Sequence, residues 1–206
     1  MMTDDSEGDT QDPQITARLA QTLAQAPTLF DRLGVTARAG VAPGSPAAED
    51  ATSELGHHTR ILAIDHLATG LEHLVIWHRL LTGGSQPFAA HMTLIRGAME
   101  GAVTSRWLID PRQDAGERVR RGVALLLDDY ANRRDFERDF GIDPAAIKSP
   151  AKSGADRYKE LQAERDAAKI GPIKVPSTTY RFGGYGGLQP GPGRAIYRLL
   201  SAYAHG

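Results

Sequence analysis

The amino-acid sequence predicts an all-α protein in which four or five helices pack around one core. Three long stretches of the 206 residues repeat apolar side chains with the helical period of 3.6 residues. No stretch alternates polar and apolar residues for long, as a half-buried strand would. Glycine and proline stand at the ends of the periodic stretches, where helices usually stop.

The composition is typical of a folded globular chain. Apolar residues make up 41% and charged residues 24%, and 24 basic side chains oppose 25 acidic ones for a net charge of -1. This balance gives no overall electrostatic attraction to DNA or to an anionic membrane, so we expect neither as a partner. Because the chain has no cysteine, disulfides, thiolate metal sites and cysteine nucleophiles are excluded.

The N-terminal quarter of the sequence is expected to lie outside the bundle. Residues 1–11 are acidic and polar, unlike a secretory signal peptide, and are predicted to form a disordered tail. A capping residue followed by proline, Asp12-Pro13, opens a helix predicted over 12–33. Residues 34–50 hold glycines and prolines without periodicity and are predicted to be a linker. No apolar run is long enough to cross a membrane, and a cytoplasmic location is expected.

Residues 51–206 are predicted to form the bundle domain. Arginines and acids are interleaved along the third of its long helices, which indicates a solvated face of compensating charges and not a track for RNA. A Gly/Pro-rich loop over 171–193 precedes the last helix, and Ser177 could cap a short helical turn within that loop. The apolar stripe of the last helix is expected to be Ile196, Leu199, Leu200 and Tyr203. The three long helices are predicted over 51–82, 87–110 and 113–140.

The last helix places three polar side chains on one face. Arg198 and His205 are seven residues apart, and Ser201 lies between them. Seven steps of 100° bring the direction back to within about 20°, so the three side chains share a face opposite the apolar stripe. A guanidinium can hold a phosphate and an imidazole can transfer a proton near neutral pH, which suits RNA cleavage. The same face also fits a solvated surface or an interface with a partner.

The segment from Tyr197 to Gly206, YRLLSAYAHG, resembles the C-terminal motif of HEPN-like helical domains, in which an arginine is followed after four to six residues by a histidine. Further stretches at 65–67, 93–100 and 107–111 resemble uncharacterised bacterial all-helical proteins with a similar ending. The resemblance covers roughly residues 55–206.

The resemblance implies a HEPN-like bundle that forms a homodimer. In catalytic HEPN members the two protomers form a cleft that cleaves RNA without metal, as toxins or defence nucleases. By the same resemblance Arg198 would stabilise the phosphate, His205 would be the general acid or base, and Ser201 would support them.

Two function classes stay open. The penultimate position of His205 places it in a helical turn that frays, which favours a non-catalytic module that binds a protein partner or RNA. The alternative is a metal-independent endoribonuclease of the toxin or defence type, which uses Arg198 and His205. The same position favours a chain that has been shortened at its C-terminus. No cofactor is predicted for either class.

Arg96 and Glu100 form a second constellation on the helix predicted over 87–110. Their spacing of four residues predicts an ion pair within the helix, which stabilises it by roughly 0.3–0.5 kcal/mol. The alternative interpretation is a half-buried pair that orients the last helix or contributes an acid to a cleft.

Five histidines lie on the helix predicted over 51–82, and two of them, His66 and His73, share a face. Two helical turns separate them by about 10 Å, which is too far for one metal ion without a further ligand. His91 on the next helix could supply that ligand. The sequence therefore predicts no metal site, and a metal-binding bundle is a distant alternative with these three histidines as its weak candidates.

Overall fold

The computed structural model describes residues 13–84, 90–147, 151–187 and 190–205, without the side chains of residues 13, 15, 16, 190 and 203–205. All regular structure within these ranges is helical, which confirms the all-α class. No helix in them is long and apolar enough to cross a membrane. The predicted tail over 1–11 lies outside the described residues. The helices are α1 (Pro13–Leu23), α2 (Ala26–Arg38), α3 (Pro46–Asp50), α4 (Glu54–Thr82), α5 (Ala90–Leu108), α6 (Ala115–Asp139), α7 (Gly154–Ala167), α8 (Thr178–Tyr185) and α9 (Pro190–His205), with one 3₁₀ turn at Pro144–Ala146.

The helices in the described ranges outnumber the predicted four or five, because short helices form where the sequence suggested irregular chain. The helix predicted over 12–33 is divided into α1 and α2, with Pro27 in the first turn of α2. The predicted loop over 171–193 contains α8, whose cap is Ser177: its Oγ accepts a hydrogen bond from Tyr180 N at 3.3 Å. The last helix begins at Pro190.

Residues 34–50, predicted as a linker, contain more helix than their sequence suggested: 34–38 end α2 and 46–50 form α3. Ser45 caps α3, accepting a hydrogen bond from Ala48 N at 3.2 Å, and Pro46 occupies the first helical position. Asp50, at the end of α3, is buried and accepts hydrogen bonds from Arg118 Nε at 2.9 and 3.0 Å. This buried ion pair attaches α3 to α6. The helix start at Ser45 was not recognised in the sequence because glycines precede it.

α4 and α5 form the central helix pair, and glycines bring their backbones into contact. A Cβ atom added at Gly101 would lie 2.4 Å from the carbonyl oxygen of His66, and one added at Gly70 would lie 2.9 Å from that of Ala98. Both distances are too short for a real side chain, so the close approach of the two helices depends on glycine. We call this contact the glycine seam.

Three apolar clusters connect α6, α7, α8 and α9 to this pair. Leu55, Val119, Val123 and Leu161 join α4, α6 and α7. Ala63, Trp107, Leu108 and Leu125 join α4, α5 and α6. Val103, Phe182 and Tyr197 join α5, α8 and α9. The last helix is therefore held by α5 and α8.

The charges of α6 are only partly solvated, which corrects the prediction of a fully solvated face. Arg118 and Arg121 are buried, and so is Glu137. Arg121 donates to Glu117 Oε1 at 2.9 Å and to the carbonyl oxygen of Trp107 at 2.9 Å. Glu137 accepts a hydrogen bond from Gly154 N at 2.8 Å, which ties α6 to the start of α7. These side chains are buried because each has a charged or backbone partner from a neighbouring segment.

Candidate functional site

α9 carries the predicted site residues, and a tyrosine fixes its orientation. Tyr197 and Leu200 are buried on its inner face, and the Tyr197 ring lies 4.6 Å from that of Phe182 on α8, centroid to centroid. The Tyr197 hydroxyl donates a hydrogen bond to Glu100 Oε1 on α5 at 2.8 Å. A tyrosine ring can be buried when its hydroxyl finds such a partner.

Arg96 completes this arrangement. Its Nε donates to the same oxygen, Glu100 Oε1, at 2.9 Å, and its guanidinium carbon lies 5.6 Å from the centroid of the Tyr197 ring. The hydrogen bond to Glu100 raises the pKa of Arg96, and burial followed by the same carboxylate raises the pKa of Tyr197. The Arg96–Glu100 pair thus lies within one helix and also contacts the last helix. We call Arg96, Glu100 and Tyr197 the anchor.

The anchor gives α9 an orientation that differs from the predicted one. The sequence predicted that Ile196, Leu199, Leu200 and Tyr203 face the core together; the side chain of Tyr203 lies outside the described residues. The structure buries Leu200 with Tyr197 but leaves Ile196 39% and Leu199 55% exposed. The physical reason is that Tyr197 has a polar partner inside the protein, so its ring takes the central buried position and turns the aliphatic pair outward.

The three residues of the predicted catalytic face are placed differently. Arg198 is exposed and forms no ion pair or hydrogen bond with the described part of the chain. Ser201 is half-buried, at the edge of the inner face. His205 is the last residue of α9, and its side chain lies outside the described residues.

The candidate metal ligands do not form a cluster. No three histidine, aspartate or glutamate side chains come together to hold a metal within the described ranges. His66 Nε2 and His73 Nδ1 are buried and have no hydrogen-bond partner there. Burial, and after it the charge of Arg181, lowers the pKa of His66, so this imidazole is held in its neutral form. A Cβ atom at Gly97 would lie 2.5 Å from His73 Nε2, so that ring packs directly on the α5 backbone.

Arg181 on α8 is a buried cation that the sequence reasoning did not identify. Its Nη2 donates to Thr178 Oγ1 at 3.1 Å, and its guanidinium carbon lies 5.7 Å from the Trp107 ring centroid. Its Nε and Nη1 have no hydrogen-bond partner among the described residues, and burial lowers its pKa. Two features of the sequence, the capping residue Ser177 and the apolar Phe182, indicate a short packed helix that contains Arg181.

A groove that could not be predicted from the sequence opens between α4, α6 and α7. It has a volume of about 350 Å³, and its apolar lining includes Ile61, Leu126 and Leu161. Asp65 of α4 and Glu164 of α7 line it from opposite helices, and both are exposed. Neither carboxylate forms an ion pair with another described residue. We call this feature the acidic groove.

Comparison with known proteins adds no further assignment. No family model, no curated protein and no solved structure matches this chain. The class that the fold and the site define is therefore an all-α protein whose last helix is anchored by a buried tyrosine–glutamate–arginine contact.

Proposed function

We propose that this chain is a HEPN-like, non-catalytic helical module of the cytoplasm that binds a protein partner through the outer face of α9. The observation that carries the proposal is the exposure of Leu199, which lies between Ile196 and Arg198 around the helix. The core of a protein interface is depleted in most charged residues but enriched in arginine, and its apolar groups are desolvated on binding. A surface with an exposed leucine at its middle, an exposed isoleucine on one side and an unpaired arginine on the other has this character.

The arginines of α6 favour a protein over RNA as the partner. Six arginines on this helix each form an ion pair with a carboxylate, so their charge is already compensated. Binding to a nucleic-acid backbone needs cations that are free to replace its counterions. The six are Arg118, Arg120, Arg121, Arg133, Arg134 and Arg138.

The proposal is tested by placing a photo-crosslinking amino acid at position 199 and irradiating the source cells. We expect a discrete protein adduct, because Leu199 would lie inside the contact, and we expect Arg198→Glu to remove most of it. The matched control places the same amino acid at Val35, which is exposed on α2, and should yield no adduct that depends on Arg198. Absence of a protein adduct at position 199, or an adduct that Arg198→Glu leaves unchanged, would contradict the proposal.

The second candidate function is a metal-independent endoribonuclease of the toxin or defence type. The observation that favours it is the unpaired, exposed guanidinium of Arg198, which could hold a phosphate. His205 would then transfer the proton, with Ser201 beside them.

RNA cleavage in the presence of EDTA separates the two functions. A ribonuclease would lose activity in both Arg198→Ala and His205→Ala but keep it in Arg194→Ala, which removes an exposed arginine one turn away. The interaction module predicts the same background cleavage in the wild type and in all three variants.

A further inference from the structure

We propose that the segment that binds the outer face of α9 is an acidic amphipathic helix of another protein. The inference rests on the proposed function and deepens it, because it names the chemistry of the partner at the same surface. It follows from the charges of α5, α8 and α9, from the spacing of two arginines on α9 and from the shape of the face beside them.

The helices α5, α8 and α9 are basic, although the net charge of the whole chain is only -1. Together they contain five arginines and one carboxylate, Glu100, which already accepts hydrogen bonds from Arg96 and Tyr197. Arg194 and Arg198 of α9 are exposed and form no ion pair within the described part of the chain. The surface around α9 therefore keeps an uncompensated positive charge, which attracts acidic groups.

Two exposed cations, Arg194 and Arg106, lie against the C-terminal half of α8. A Cβ atom added at Gly183 would lie 2.7 Å from Arg194 Nε, so this guanidinium lies directly on the α8 backbone. Arg106 of α5 donates to the carbonyl oxygen of Tyr185 at 3.4 Å and has no carboxylate partner among the described residues. A cation that is already held by its own chain loses little freedom when a carboxylate binds it.

The two arginines of α9 have the spacing of one helical turn. Arg194 and Arg198 are four residues apart and lie along the same edge of the helix, with a rise of about 6 Å between them. We call these two residues the arginine edge. Two carboxylates four residues apart on another helix have the same rise, so one helix packed alongside α9 can present an acid to each arginine.

The rest of the outer face has a form that suits helix packing. Ala195 and Ala202 are exposed along its centre, seven residues apart, and their small side chains permit close approach of another backbone. The arginine edge lies on one side of this line and Leu199 on the other. An amphipathic partner helix would place its apolar stripe against Leu199 and the alanines while its acids meet the arginine edge.

A nucleic acid matches this surface less well than an acidic helix does. A phosphate backbone would leave Leu199 and Ile196 beside polar groups, whereas an apolar stripe would remove both from water. The three exposed arginines are also few for nucleic-acid binding, whose strength depends on the number of phosphates that cations neutralise. The observations therefore favour a protein segment.

The test measures the binding of two synthetic helical peptides to the full chain by fluorescence anisotropy. Both peptides carry the same leucine stripe, but one has glutamates and the other lysines at two positions four residues apart. We expect only the glutamate peptide to bind, with an affinity that falls as the salt concentration rises. Arg194→Glu and Arg198→Glu should each raise its dissociation constant by about tenfold or more.

The double variant with both substitutions should bind the lysine peptide instead, because its edge is then acidic. Arg38→Glu is the matched control and should bind the glutamate peptide as the wild type does, since Arg38 is an exposed arginine on α2 without a carboxylate partner in the described ranges. Circular dichroism verifies that every variant is folded.

Three results would overturn the inference: no binding of the glutamate peptide, equal binding of both peptides, or a double variant that does not prefer the lysine peptide. A single-stranded RNA that binds the wild type more tightly than the glutamate peptide, and that needs the same arginines, would overturn it as well.

A competition experiment separates the inference from the proposed function. The crosslinking at position 199 is repeated in a lysate of the source cells with added glutamate peptide, which should suppress the adduct. An adduct that depends on Arg198 but is not suppressed by the peptide would leave the proposed function intact and exclude an acidic helix as the bound segment. The absence of any adduct would contradict the proposed function itself.

Discussion

Arg118, Arg121 and Arg181 are buried in this protein, and the environments that stabilise them are not equivalent. Arg118 is paired with the buried carboxylate of Asp50 and also donates to backbone carbonyl oxygens. Arg121 has Glu117 and the Trp107 carbonyl oxygen. Within the described ranges Arg181 is bonded to a threonine hydroxyl and lies on the face of Trp107; the charges of Glu100, Asp128 and Asp129 act on it without a hydrogen bond. Burial of a cation without a bonded carboxylate opposes folding, because the charge loses its hydration.

Replacement of Arg181 and of Arg118 by methionine should therefore change the free energy of unfolding by different amounts. We expect Arg181→Met to change the free energy of unfolding by less than about 1 kcal/mol or to increase it, since two unsatisfied N–H groups are removed. Arg118→Met should lower it by about 3–5 kcal/mol, because the carboxylate of Asp50 would remain buried alone. Urea denaturation measures both. A loss in Arg181→Met as large as that in Arg118→Met would show that Arg181 is fully paired in solution.

At the scale of the element, the orientation of α9 depends on the anchor. Tyr197→Phe keeps the ring but removes the donor to Glu100, and we expect it to lower the free energy of unfolding by about 1–2 kcal/mol. Faster amide hydrogen exchange in α9 should accompany this loss, because the helix loses its polar attachment to α5. Tyr180→Phe removes an exposed hydroxyl on α8 and is the matched control, with no expected change. Equal stability of both variants would argue against the anchor.

The long helices could be predicted closely from the sequence, whereas of the short ones only the turn capped by Ser177 was indicated. The ranges 51–82 and 113–140 correspond to Glu54–Thr82 and Ala115–Asp139, because apolar periodicity and terminal glycines act locally. The helix α3 and the inner face of α9 depend instead on partners distant in sequence. Asp50 is held by Arg118 and Tyr197 by Glu100, and such tertiary contacts leave no periodic signal.

For the candidate site, the helices and the Arg96–Glu100 pair could be predicted from the sequence, but the exposed face of α9 and the groove could not. The sequence placed Arg96 and Glu100 one turn apart, and their ion pair is present at 2.9 Å. It gave no indication that Tyr197 would occupy the inner face and turn Leu199 outward. The acidic groove could not be predicted either, because its lining residues come from three helices whose relative positions are defined only in the folded chain.

At the scale of the whole molecule, stability is expected to be uneven. α1 and α2 pack mainly on α4, and among their described side chains only Leu23 and Ala26 are buried. Leu19, Leu29 and Val35 remain exposed, so little apolar area holds these helices in place.

Amide hydrogen exchange should therefore separate the molecule into two zones. We expect the amides of α1 and α2 to exchange at least about tenfold faster than those at the centres of α4, α5 and α6, since they can open without global unfolding. Mass spectrometry of peptides from exchanged protein measures the difference. Uniform protection across all five helices would indicate that the N-terminal helices unfold only together with the core.

The glycine seam also joins the helix that lines the acidic groove to the helix that holds α9 in place. α4 forms one wall of the acidic groove, and α5 carries the two residues that hold α9 in place. Because the backbones of α4 and α5 are in contact at Gly70 and Gly101, the groove wall and the residues that hold α9 belong to one closely packed helix pair. A partner that contacted the groove and the outer face of α9 together would meet a preorganised surface, so little conformational freedom would be lost on binding.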